Sequence, residues 1–343
     1  MSDTRRSKPR ISVQLVIILS ALWGVVSLIV FLLGSPISPR PQWYGIATYA
    51  LENLAFLGAA LLCLRNWGSS QIVSGRGVWL LFAIGMLSYF MGNLILGWWE
   101  LVWNLSPDVS PADFFYLLTY VALGVGMLLA VVSKRLSLTI VQYGIVIAIA
   151  VAGIGLAYYV SYGGSNDSVR GPTLIPVAVA SPAAGSAVGQ MAIAQAPEAP
   201  ALPDDQPAPA PPTPPVIDAS LPDESPNAPP WVLGLNSALA PFADPVGLLY
   251  VAGDIFLLVM ATILLLAFWG GRFSMSWRFI AAAAFSFYIA DIWFAYAISK
   301  FENYETGELP EVFWIFSAVL FSIGAALEYN LSTRSRRGIR RRS

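Results

Sequence analysis

Apolar stretches of about 20 residues alternate with short polar breaks along this chain, and a helix of that length crosses roughly 30 Å of hydrocarbon. The pattern predicts an all-α polytopic membrane protein with eight transmembrane helices, near 11–33, 44–64, 78–98, 112–132, 138–160, 246–268, 278–299 and 311–330. A basic segment, 1–10, precedes the first run, which is too long for a secretory leader and lacks a small-residue cleavage site, so it reads as an uncleaved span. Five spans fill 11–162, three fill 244–331, and an Arg-rich tail occupies 332–343. Between the two groups, 163–243 is dominated by Pro and Ala, as in "APEAPALPDDQPAPAPPTPP". Such a composition buries too little apolar surface to offset chain entropy. It reads as a disordered, partly polyproline-like outer loop, either a spacer between membrane halves or a ligand for a partner domain.

The polar residues that interrupt the apolar runs recur in register. A shift of 202 positions brings Glu52 onto Asp254, Trp67 onto Trp269 and Gly68 onto Gly270. A shift of 198 brings Trp79 onto Trp277, Asn93 onto Asp291, Asp113 onto Glu311 and Tyr116 onto Trp314. Aliphatic coincidences are cheap in membrane sequences, but intramembrane carboxylates and amides are rare. With the first and fifth spans as corresponding first members, the chain reads as a parallel 4+4 tandem repeat, since an even number of spans returns the second copy in the same sense.

A carboxylate within a span costs several kcal/mol unless something compensates it. Glu52, with Asn53 beside it, lies about 12 Å down its helix at 1.5 Å per residue. Asn93 lies about five residues below the outer surface and Asp113 at the outer mouth of its helix, with Tyr116 following; Asp254, Asp291 and Glu311, with Trp314, repeat these depths in the second copy. These nine residues are the candidate site, read as two matched clusters in the outer third of the membrane. No Lys, Arg or His falls inside a span near them, although Arg40 and Lys300 in outer loops are long enough to reach down. Protons, water, polar side chains, a bound cation or a cationic ligand are the candidate compensations. Three roles stay open: neutral acids hydrogen-bonding helices together, a ligand or ion pocket, and a transport route. The inner halves of the spans are nearly all Leu, Ala, Val and Gly, which counts against a permease. In "NLSPDVSPADFFY", Ser110 or Asp113 also suits a helix cap, with Pro111 in the first turn. Trp98, Trp99 and Trp103 read as an interfacial belt.

Composition narrows the chemistry. The chain is 57% hydrophobic and 11% charged, far from the roughly 25% charged residues of soluble domains. There is no histidine, so His-based metal, haem or acid–base chemistry is excluded. Cys63 is alone, which excludes an intramolecular disulfide. Lys8, Lys134 and Lys300 all lie away from mid-membrane, so a retinal-type Schiff base is not expected. No cofactor, no metal site and no catalytic set is expected.

Charge sets orientation. With both termini cytoplasmic, sixteen basic residues lie inside and only Arg40, Arg170 and Lys300 lie outside, which places the chain multi-pass in a bacterial-type plasma (inner) membrane. The tail "STRSRRGIRRRS" then faces anionic lipid head groups, and nucleic acid is not an expected partner.

At "SPADFFYLLTY" (110–120) the sequence resembles the multi-helix membrane sensory regions that precede diguanylate-cyclase-type output domains in bacterial signalling proteins. Ser110, Pro111, Ala112, Asp113, Tyr116 and Leu117 resemble the Pro-x-x-Asp-x-x-Tyr-Leu-like turn of those regions, with one residue fewer between Pro111 and Asp113, and "LPEVFWIF" (309–316) is a looser second copy. The likeness covers about 44–135 and 246–331. It implies a sensory module, and with about a dozen residues after the last span no output domain is expected on this chain. The leading expectation is therefore a sensor-like or scaffold module without enzymatic activity, acting through a cytoplasmic signalling partner or a membrane complex. The alternative is a proton- or cation-linked transporter.

Overall fold

In lipid a chain must satisfy its own N–H and C=O groups, so each apolar run closes its hydrogen bonds as a helix. The computed structural model describes residues 12–37, 39–133, 138–162, 228–268, 274–301 and 304–340. The long helices are α1 (Val13–Gly34), α2 (Gln42–Trp67), α3 (Arg76–Trp103), α4 (Pro111–Ser133) and α5 (Ile140–Tyr162). A short α6 (Pro230–Leu239) continues through a 3-10 turn into α7 (Ala243–Ala267), followed by α8 (Ser274–Lys300) and α9 (Val312–Arg340). Eight segments are long and apolar enough to cross a membrane, α6 and α7 counting as one, and no strand occurs among the described residues. All described residues belong to one compact unit, and a second unit, 181–226, lies outside them. Also outside are the basic N-terminal segment, most of the Pro/Ala-rich stretch, Trp269, Gly270, and the guanidinium groups expected to face lipid in the tail.

Two helices depart instructively from expectation. The helix α3 runs to Trp103 rather than 98, stopping where Asn104 takes a left-handed conformation at φ 50°, a common C-terminal signal for Asn. The helix α6 forms inside the stretch expected as loop. Pro230 suits its first turn, Trp231 packs edge-on against Trp103 at 5.7 Å, and Trp99 Nε1 donates to Asn236 Oδ1 at 3.2 Å. Trp99 is accordingly buried against protein, whereas Trp98 is exposed.

The helices α2, α3, α4, α7, α8 and α9 pack in that order, and α9 closes back onto α2, making a ring of six. Flanking it, α1 lies against α9 and α2, and α5 against α7 and α8. Both flanking helices expose large apolar side chains such as Leu19, Leu33, Ile140 and Val151, the surface a lipid-facing helix presents.

At the end where α3 and α8 begin, aromatic rings plug the ring of helices. Trp79 and Phe82 meet at 5.6 Å, Phe82 and Phe321 at 5.5 Å, Phe82 and Trp277 at 6.3 Å, and Phe268 stacks on Trp277 at 5.0 Å. Glycine allows the close approach: a Cβ on Gly126 of α4 would stand 2.7 Å from Phe82, and one on Gly324 of α9 would stand 2.7 Å from Ile280. This end, whose helix halves read in sequence as nearly all Leu, Ala, Val and Gly, also carries a buried acid. Glu328 is buried there, accepting from Ser74 Oγ at 2.7 Å, while Trp79 Nε1 donates to Ser74 Oγ at 2.8 Å. At the opposite end the ring of helices encloses a chamber.

Candidate functional site

The chamber is built by the N-terminal turns of α2, α4, α7 and α9 and the C-terminal turns of α3 and α8. Five of these helices offer it a polar stripe at helical spacing, and α9 offers Trp314. The stripes are Tyr49 and Glu52 on α2, Tyr89, Asn93 and Glu100 on α3, Asp113, Tyr116 and Tyr120 on α4, Tyr250 and Asp254 on α7, and Tyr288 and Asp291 on α8. The space holds about 1170 Å³ counted out to its mouth. Among the described residues, five carboxyl groups and six tyrosines line it, and no Lys, Arg or His does.

Phenol hydroxyls hold almost every acid. Tyr89 donates to Glu52 Oε1 at 2.6 Å, Tyr49 to Glu100 Oε2 at 2.7 Å, and Tyr250 to Asp113 Oδ1 at 2.8 Å. Tyr116 donates to Asn93 Oδ1 at 2.6 Å, and Trp314 Nε1 to Asp291 Oδ1 at 2.7 Å. Tyr120 lies between two carboxyls, 2.8 Å from Asp254 Oδ1 and 2.7 Å from Asp291 Oδ2. A phenol has one proton to donate, so the second of these contacts needs a proton from the carboxyl side. The sixth tyrosine, Tyr288, is buried with no partner for its hydroxyl, and Asn93 Nδ2 is likewise without one.

The rim is stitched by loops. Arg40 Nη2 donates to Glu308 Oε1 at 2.5 Å, and its Nη1 donates to the carbonyls of Glu305 and, at 2.9 Å, Thr306. Thr306 in turn donates to Glu100 Oε2 at 3.2 Å, and Tyr44 to the carbonyl of Gly307 at 2.7 Å. Arg40 thus serves the rim and its two loop acids rather than reaching down to the intramembrane carboxyls, and Lys300 is exposed at the end of α8. Outside the spans, Asp108 on the loop before α4 is partly buried, and loss of hydration raises its pKa above the usual carboxylate range.

Of the nine candidate residues, Glu52, Asn93, Asp113, Tyr116, Asp254, Asp291 and Trp314 all line this one chamber. The sequence suggested two clusters, one per half, but Tyr120 and Tyr250 cross between the halves and join them. Asn53 stands apart, donating to the carbonyl of Tyr49 on its own helix at 2.9 Å. Glu311 sits behind the rim. It accepts from the backbone N–H groups of Gly307 at 2.8 Å and Glu308 at 3.0 Å, and from the Tyr304 hydroxyl. Asp113 also caps α4, accepting from the backbone N–H of Ser110 at 2.7 Å, so its capping and chamber roles coincide.

Glu100 and the tyrosines at 49, 89, 120, 250 and 288 were not among the candidates. Glu100 fell beyond the expected end of its span. The tyrosines were readable in principle, because 89, 93 and 100, or 113, 116 and 120, share one helical face with an acid or amide. Among the described residues no group of three His, Cys, Asp or Glu side chains is arranged to hold a metal ion. No protein-family model, curated protein or solved structure matches the chain.

Proposed function

We propose that this chain is a sensor-like or scaffold module of a bacterial-type plasma (inner) membrane. Its chamber takes up a small ligand or ion from the outer side, and the ring of helices relays occupancy to a cytoplasmic partner or an assembled membrane complex. The observation that carries this reading is a one-ended chamber. Five carboxyls and six tyrosines line it, while Trp79, Phe82, Trp277 and Phe321 fill the same ring of helices at the other end. The excess of basic residues at the plugged end, including Arg65 and Arg76, supports placing that end in the cytoplasm and the mouth outside.

A tandem repeat is part of this reading, and matched contacts support it. Tyr116 bonds Asn93 at 2.6 Å as Trp314 bonds Asp291 at 2.7 Å, each pair related by the same 198-residue shift. The N–H of Ser110 reaches Asp113 as that of Glu308 reaches Glu311, and Gly126 packs on Phe82 as Gly324 packs on Ile280. The resemblance of 110–120 to bacterial sensory regions points the same way. Buried Glu328 beyond the plug favours the rival transporter reading, in which the plug would open.

Labelling separates the two. In a Cys63→Ala background, Ala295→Cys places a thiol on the chamber wall. The sensor reading expects a membrane-impermeant maleimide to label it in oriented proteoliposomes from the outer face only. Labelling from the inner face would replace the sensor with a transporter.

A further inference from the structure

We infer that the chamber binds a protonated primary or secondary amine, with its ammonium among Asp254, Asp291 and Tyr288 and its apolar body along Ile292, Ala295 and Ile298. This rests on the receptor reading above and gives it a ligand class.

The first support is charge. Among the described residues, five carboxyls share a chamber that no basic side chain lines, and the guanidinium of Arg40 is committed to the rim. The second is an unfilled hydrogen-bond position. Five of the six chamber tyrosines already donate to an acid or amide, whereas the Tyr288 hydroxyl is buried, only 8% exposed, and has no partner. Buried hydroxyls are rarely left so, because the lost water contact costs roughly 1–3 kcal/mol. Tyr288 stands one helical turn before Asp291 on α8 and lines the same chamber as Asp254. A donor entering there finds two carboxyls and a phenol oxygen to accept its protons.

The alternatives fit less well. Calcium takes about six to eight oxygens at roughly 2.3–2.6 Å and magnesium six at about 2.0–2.1 Å, and no group of three acids is arranged to hold a metal ion among the described residues. A quaternary ammonium carries charge but no N–H for the acceptors that wait there. A neutral solute would bring no charge to set beside the hydrogen-bonded carboxyls. An amine supplies charge and donors together, and tyrosine and tryptophan walls add attraction to a cation.

The test uses full-chain protein in lipid nanodiscs with methylamine, putrescine and 2-phenylethylamine as probes. Controls are 2-phenylethanol, tetramethylammonium and magnesium. Calorimetry should find saturable binding of at least one amine, about tenfold or more tighter than any control. Tyr288→Phe removes a hydroxyl that holds no partner within the protein, so thermal stability should be retained while amine affinity falls by about threefold to tenfold. Asp254→Asn should weaken binding by about tenfold or more. Failure of all three amines, equal binding of 2-phenylethanol or magnesium, or unchanged affinity in Tyr288→Phe would overturn the assignment. The thiol at position 295 separates two failures. Outside labelling that no amine blocks removes the amine and leaves the receptor, whereas absence of outside labelling removes the receptor itself.

Discussion

Replacing Tyr120 by Phe would probe the joint between the two halves. The hydroxyl on α4 stands 2.8 Å from Asp254 on α7 and 2.7 Å from Asp291 on α8, so a single oxygen ties three helices. The ring lies 5.6 Å from both Tyr250 and Phe287, and phenylalanine keeps those contacts. What is lost is therefore polar. Interhelical hydrogen bonds in membrane proteins average about 0.6 kcal/mol each with a ceiling near 1.7, so two contacts bound the loss between about 1.2 and about 3.4 kcal/mol. Water admitted by the adjacent chamber can replace part of it, which moves the expectation toward about 1–2 kcal/mol. Reversible unfolding in mixed micelles, or steric trapping in bilayers, reads this directly. Tyr143→Phe on the exposed face of α5 is the control and should stay within about 0.5 kcal/mol of the parent. A Tyr120→Phe protein as stable as the control would refute the joint. So would additivity of Tyr120→Phe with Asp254→Asn, because residues sharing a hydrogen bond should couple.

Two further outcomes follow from packing and charge. Gly126→Ala should lower stability by about 1–3 kcal/mol, because the new methyl would meet Phe82, itself wedged between Trp277 and Phe321. Gly324→Ala should also destabilise, since its methyl would meet buried Ile280 and the backbone carbonyl of Ser276, whereas Gly144→Ala, which meets nothing, should not destabilise in the same thermal-unfolding series. Asp108→Asn should raise the melting temperature slightly at pH 7 and leave it unchanged near pH 3. Burial raises this acid's pKa in the folded state, so as pH rises the unfolded chain ionises first and stability is lost between the ordinary and the raised value. A variant no more stable than the parent at pH 7 would contradict that sign.

Hydrophobic run length is enough to define the eight spans, because hydrocarbon thickness and helix rise together leave little freedom in length. The acids were legible for a similar reason: a carboxyl in an apolar run is rare enough to be noticed singly, as Glu52, Asp254 and Asp291 were. Their tyrosine partners were not, because Tyr89 or Tyr120 in a membrane helix is ordinary, and its meaning depends on which neighbour faces it. Helix α6 escaped for the same reason. Its stability comes from Trp99 and Trp103 more than 120 positions away, not from its own Pro- and Asn-containing sequence.

What the chain alone determined is thus local: spans, their polarity, and the presence of acids on the same side. Only tertiary structure decided that the ring of helices closes from α9 to α2, that Tyr120 merges two expected clusters into one chamber, and that Asn53 and Glu311 stay out of it. Periodicity constrains each helix about its own axis, but the rotation and order of helices in a ring depend on side chains meeting across hundreds of positions, which no single run of residues encodes.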